Sequence, residues 1–407
     1  MSSATECTIA SKAGFEYMRI TFLVRNLWGI GGTIKTTINT ADALVALGHD
    51  VTICSFVRSR KKTAFPLDPR IKVVHLWDVR KPSNGGDKLS FLERWHANRP
   101  SFLDADQVNN QGESSELLDL KVKKYLKRLD TDVAVGTQVS VNLYMTKYGR
   151  PEKYAMVGQE HMFLDNYRAN IRKHMDAEYG RLDAIVTITE ADTKAYRAAY
   201  PELVDKIAYV PNSIPANPEP PSDLTRPLIM TAGRVTGMKG FDILIKAFAE
   251  LADDFPEWQV RIFGRGRDRE RLQGMVTELG LDGRIDLPGP KTPLDAEWGK
   301  ASIAAIPSRF EPFGLVIVEA MAAGLPVVCS AVKHGPLELI RTGENGLLVE
   351  PQDPADLAKA LRSLMSDPAL RRKLADAALE TAKRFEPGNV VGGHVAVFEK
   401  ALAARGK

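Results

Sequence analysis

A chain of 407 residues is long enough for two α/β domains of about 200 residues each, and its 44% hydrophobic and 26% charged content excludes disorder as its general state. A net charge of +4 is too small to mark a nucleic-acid binder. No stretch approaches the roughly 18 continuous apolar residues of a spanning helix, and Met1 to Glu16 lacks a charged-then-apolar signal pattern, so a cytoplasmic protein is expected.

In chain order, residues 18–24 form an apolar run, followed by a glycine turn (Gly29 to Gly32), a helix-length segment (Thr33 to Leu47) and a second strand, Val51 to Val57. Further strands are expected at 71–76, 132–136, 153–158 and 184–188. They alternate with helices at 113–129, 166–181 and 190–200, so a parallel sheet with helices on both faces follows. Residues 80–115 are polar and turn-rich around an embedded Trp95, either a flap over an acceptor or a solvent loop with a short surface helix. The basic run Lys121 to Arg128 reads more simply as a solvated helix face than as a membrane or polyanion contact.

The stretch from Val210 to Pro221 holds five prolines and cannot keep a regular hydrogen-bonded structure, which marks a hinge between domains. Beyond it the alternation resumes, with strands near 227–232, 258–263, 284–287, 302–306, 326–329 and 346–349. Helices are expected near 241–252, 268–279, 314–323 and 336–341, then at 354–365, 368–384 and 388–404, with Pro387 separating the last two. Cys7, Cys54 and Cys329 are far apart, two of them in apolar runs, and read as reduced structural residues.

Two short segments carry the chemistry. In the first, Gly233-Arg234 and Lys239-Gly240 flank a loop between an apolar strand and an amphipathic helix. Arg forks across two phosphate oxygens, Lys acts as a movable point charge, and the glycines admit close backbone approach. In the second, Glu311-Pro312-Phe313-Gly314-Leu315 turns into a helix that carries Glu319. Its N-terminus offers free N–H groups to a diphosphate or sugar oxygen. Gly31 and Gly32 present a similar helix N-terminus after the first strand, but neither Gly29-Ile-Gly31-Gly32 nor Gly264-Arg-Gly266 completes a dinucleotide fingerprint. Asp104-Ala-Asp106 and Asp130-Thr-Asp132 have metal-binding spacing, yet one falls in the polar loop and the other enters a strand. They read as surface or capping residues, and no metal is expected.

The run Glu311-Pro-Phe-Gly…Glu319-Ala-Met-Ala-Ala-Gly-Leu-Pro-Val-Val, with Gly-Arg…Lys-Gly upstream, resembles glycosyltransferase family 4, the retaining GT-B transferases. The resemblance implies two Rossmann-like domains facing across a cleft: 1–211 on the acceptor side, 212–386 binding the nucleotide sugar, and 387–407 a helix crossing back to the first domain. It further implies that Arg234 and Lys239 meet the diphosphate, Glu311 the sugar hydroxyls and Glu319 the ribose. His161, after Gly158-Gln-Glu160, matches the histidine beside the donor sugar, with Glu160 a possible supporting carboxylate. Main-chain groups of Leu287-Pro288-Gly289 would meet the nucleobase. Lys333-His334 departs from the family's Gly-rich turn, which leaves His334 without an assigned role. The short Gly-Ile-Gly-Gly-Thr segment also resembles transferases that glucosylate wall teichoic acid.

The implied function is transfer of a hexose from a UDP- or GDP-type sugar to a hydroxyl acceptor with retention. No cofactor is implied beyond the donor, and peripheral contact with the inner face of a membrane is compatible with it. The alternatives are a GT-B sugar-nucleotide epimerase, for which the Glu311…Glu319 run is foreign, and a non-catalytic sugar-nucleotide or glycan-binding protein, which would have lost the key groups.

Overall fold

A computed structural model of the protein describes residues 16–103 and 114–406. Cys7, Asp104, Asp106 and the turn cluster at 109–112 lie outside the described residues.

The first sheet is built from β1 (Arg19–Val24), β2 (Asp50–Arg58), β3 (Lys72–Asp78), β4 (Val133–Gly136), β5 (Ala155–Glu160), β6 (Ala184–Thr187) and β7 (Ile207–Tyr209). Its order is β3-β2-β1-β4-β5-β6-β7 and every pairing is parallel, for example Ile20 with Val51 on one side and Val133 on the other. Strand β1 shows why: Ile20, Phe22 and Val24 pack on one face while Leu23 packs on the opposite one, so both faces need helical cover. That cover comes from α1 (Gly32–Ala46), α2 (Phe91–Ala97), α3 (Glu116–Arg128), α4 (Val139–Tyr148), α5 (Ala169–Glu178) and α6 (Glu190–Ala199).

The second sheet repeats the plan. β8 (Leu228–Ala232), α7 (Phe241–Ala249), β9 (Gln259–Phe263), α8 (Arg269–Glu278), β10 (Ile285–Gly289), α9 (Asp295–Trp298), β11 (Ile303–Ile306), α10 (Leu315–Ala322), β12 (Val327–Ser330), α11 (Gly335–Leu339) and β13 (Gly346–Val349) follow in sequence. The strand order is β10-β9-β8-β11-β12-β13, again parallel. In both sheets the order reverses beside the first strand, and ligands of such sheets bind outside the carboxyl ends of the strands at that switch point. The loops after β1, β8 and β11 are therefore the ones to inspect.

Three helices close the chain: α12 (Pro354–Ser366), α13 (Pro368–Lys383) and α14 (Pro387–Ala403). Each opens with a proline at its first position, where the missing N–H is no loss. Val390, Val391, Val395 and Phe398 of α14 join Ile20 and Phe22 in one core, so the last helix packs on the first sheet.

Three elements escape the sequence pattern. Helix α4 is buried on nearly every side and has no polar stripe, while β7 and α9 span only three and four residues. Leu287-Pro288-Gly289, whose main chain is expected to meet a nucleobase, is the end of edge strand β10, so the strand runs past 287. Leu287 is buried in the core, leaving its main chain and the exposed Pro288 at the rim.

Candidate active site

The loops after β8 and β11 are joined directly. Lys239 Nζ donates to Glu311 Oε2 at 2.5 Å, and Ser308 Oγ donates to the same oxygen at 3.3 Å. Arg309 braces the pair, its guanidinium donating to both Asp242 oxygens at 2.7 and 2.8 Å and to the Gly237 carbonyl at 2.7 Å. That ion pair holds the Asp242 carboxyl below its ordinary range. Gly240 sits between the loops at φ 63°, and a Cβ there would lie 1.9 Å from the Pro307 carbonyl oxygen. Only glycine meets both demands.

Arg234 is exposed on the loop after β8 and forms no ion pair among the described residues, so its guanidinium is available to an anion. The Lys239 side chain packs over Gly233, within 3.3 Å of where a Cβ would stand. Of the four residues at the centre of the sequence reading, Lys239 and Glu311 meet each other across two loops and Arg234 shares the loop of Lys239.

Glu319 takes a different partner, one the sequence reading missed. Lys35 Nζ, in the opening turn of α1, donates to Glu319 Oε1 at 2.7 Å across the cleft. A cation in the first turn opposes the helix dipole, and that is the signal that could have singled Lys35 out.

The N-termini of α1 and α10 face one another here. A Cβ on Gly32 would lie 2.8 Å from Leu315 Cδ1. Both helices start on a glycine, Gly31 and Gly314, with no side-chain cap and no acidic residue in the first turn. Free N–H groups and the positive ends of two helices therefore border one space, a setting suited to a diphosphate. Pro312 is half-buried at its edge, while the Phe313 ring turns into the core against Phe385 and leaves only its main chain for a ligand.

His161 follows β5. Its ring bonds the Asn212 side chain, its Nε2 is sealed from solvent with no partner among the described residues, and burial lowers its pKa to about 4. The ring is neutral at neutral pH. His394 of α14 is also lowered to about 4 by burial, with His161 near enough to add to that lowering. Neither Asn212 nor His394 was visible as a neighbour in the sequence.

Glu160 does not support the site as a free carboxylate. It is fully buried, accepting from Asn142 Nδ2 at 2.8 Å, Tyr167 OH at 2.5 Å and the Tyr179 hydroxyl, and burial raises its pKa. It anchors the end of β5 from inside the first domain. Asp130 and Asp132 both pair with Arg19. Among the described residues no group of three or more His, Cys, Asp or Glu is arranged to hold a metal ion.

His334, left without a role by the sequence, stacks on Phe163 with ring centroids 3.7 Å apart, and Phe163 also meets Phe310 at 4.7 Å. Glu338 accepts from the N–H groups of Glu190 and Ala191, capping α6 of the first domain from the second.

Residues 215–381 match the family model of glycosyl transferases group 1. An exopolysaccharide phosphotransferase of Streptomyces coelicolor is 32% identical over 393 residues, covering 95% of this chain and 41% of the relative. A poly(glycerol-phosphate) alpha-glucosyltransferase of Bacillus subtilis is 28% identical over 263 residues, 63% of this chain and 39% of the relative. The chain thus spans well under half the length of both relatives. The crystal structure of Anabaena HepE with UDP superposes at a TM-score of 0.72 with 19% identity, covering 94% of this chain and 100% of that one. The architecture is that of GT-B proteins, and the matched family model and relatives support a glycosyltransferase of that type.

Proposed function

We propose that this protein transfers a hexose from a nucleoside-diphosphate sugar to a hydroxyl acceptor with retention at the anomeric carbon. The observation that carries the reading is the Lys239–Glu311 ion pair, set where the loops after β8 and β11 meet at the switch point of the second sheet. A carboxylate suits sugar hydroxyls, and a cation beside it suits the departing phosphate. Arg234 supplies a second cation without a carboxylate to satisfy first, and the facing N-termini of α1 and α10 add fixed dipoles.

Charge develops on the leaving diphosphate as the glycosidic bond breaks. Donors already aimed at that position lower the barrier without reorganising. Glu311 stands next to the leaving-group cation, placed to hold the sugar while positive character grows at its anomeric carbon. His161, neutral and with an unmet Nε2, is suited to a hydroxyl of the donor or acceptor. Glu319 would hold the ribose. Closure of the two domains excludes water and suppresses hydrolysis of the donor.

The names of the two curated relatives favour a phosphate-rich or exopolysaccharide-type acceptor. A thermal-shift screen of nucleoside-diphosphate sugars tests the reading: one of them should raise Tm specifically. Proton NMR of the product formed with that donor should show the donor's anomeric configuration. No shift with any sugar nucleotide, or an inverted product, would overturn it.

A further inference from the structure

Helices α2 and α3 lie side by side on the outside of the first domain. A capping box, Ser90 with Glu93, fixes the start of α2, and Lys121 Nζ reaches Glu93 at 3.4 Å to tie the two helices together. This well-anchored short helix nevertheless turns its largest apolar side chains into water: Phe91 is 78% exposed, Leu92 67% and Trp95 50%. At positions i, i+1 and i+4 they share one face.

The outward face of α3 beside them carries Lys123, Lys124 and Lys127, none of which forms an ion pair among the described residues. Lys147, near the end of α4, flanks the same surface, where two shallow hollows share Lys123 and Tyr148, while Arg150 beyond it is paired with Glu152 at 2.6 Å. The acidic groups nearby are already committed, Glu116 to His96 and Arg99, and Asp119 to Tyr144, Ser101 and the Phe102 N–H. One face therefore combines three projecting apolar groups with a row of unneutralised cations.

We infer that this face docks on the surface of a bilayer containing anionic lipids. A soluble polyanion would satisfy the lysines but leave Phe91 and Leu92 in water. A neutral protein partner would cover the apolar groups but leave the cations without counter-charge. A headgroup layer does both, taking the apolar side chains at the acyl boundary and the lysines at the lipid phosphates. Lys123, Lys124 and Lys127 fall in the second half of α3 and Lys147 near the end of α4, so the basic part of this surface lies toward the amino end of the sheet, on the side away from the cleft.

The test is co-sedimentation of the whole chain with phosphatidylcholine vesicles, with and without phosphatidylglycerol, at low and high salt. Binding is expected only with phosphatidylglycerol and should weaken as salt rises. The variant Lys123→Gln/Lys124→Gln/Lys127→Gln should lose about 100-fold in partitioning, and Phe91→Ser/Leu92→Ser/Trp95→Ser about tenfold or more. Both variants should keep the wild-type Tm and affinity for sugar nucleotides, because none of the six side chains lies at the cleft site. Absence of vesicle binding, binding untouched by either variant, or capture of soluble dextran sulfate but not vesicles would overturn the inference. Failure to bind any sugar nucleotide would instead defeat the proposed activity and leave the vesicle result standing.

Discussion

Lys239 and Glu311 form a largely enclosed pair, with side chains 18% and 9% exposed. Removing one member leaves the other charged and short of a partner, a change that costs about 3 kcal/mol in such settings. Lys239→Ala should therefore lower stability by about that amount in denaturant unfolding and reduce transfer at least about 100-fold. Adding Glu311→Gln to it should restore much of the stability and none of the activity, which separates the two roles. His161 gives a pH signature. Its folded pKa, about 4, lies below the ordinary 6.5, so the unfolded chain takes up the proton first as pH falls. The stability of the wild type relative to His161→Gln should be constant above pH 6.5, fall as pH drops toward 4, and level off below. A flat difference across that window would mean that the ring titrates normally. The residues of this centre were legible in part. Glu311, Lys239 and Arg234 stand in local motifs that a single pass can find, whereas Lys35, Asn212 and His394 reach it through packing from distant segments and leave no local spacing to read.

At the scale of elements, the parallel strands were visible as apolar runs, and their order places the loops after β1, β8 and β11 at the switch points. Elements without a polar face or with only a turn's length, such as α4, β7 and α9, gave no periodic signal, since periodicity reports a boundary with water that α4 does not have. The fit between the two β–α loops of the second domain is tight. Gly240→Ala combines a left-handed backbone, costing about 1–2 kcal/mol, with a Cβ on top of the Pro307 carbonyl. It should lower the unfolding free energy by more than the conformational term alone and weaken sugar-nucleotide binding by displacing Lys239. Unchanged stability would show that the loops separate freely.

For the molecule as a whole, the described arrangement is closed by few contacts: Lys35 with Glu319, Glu338 on the N-terminus of α6, and Phe163 between His334 and Phe310. On the hinge side, Asn39 Nδ2 donates to the Ser213 carbonyl and α14 packs on the first sheet. Partly exposed ion pairs contribute only about 0–1 kcal/mol each, so closure without ligand is shallow. Lys35→Met with Glu338→Ala should increase the radius of gyration in small-angle scattering, and saturating sugar nucleotide should reverse part of the change. The central claim is that one activated sugar bridges the loops after β8 and β11. Calorimetric titration of a sugar-nucleotide panel into the wild type and Arg234→Ala tests it most directly. One member should bind with 1:1 stoichiometry and lose at least about tenfold in affinity in the variant, whereas equal affinity in the two proteins, or no binding by the wild type, would contradict the account.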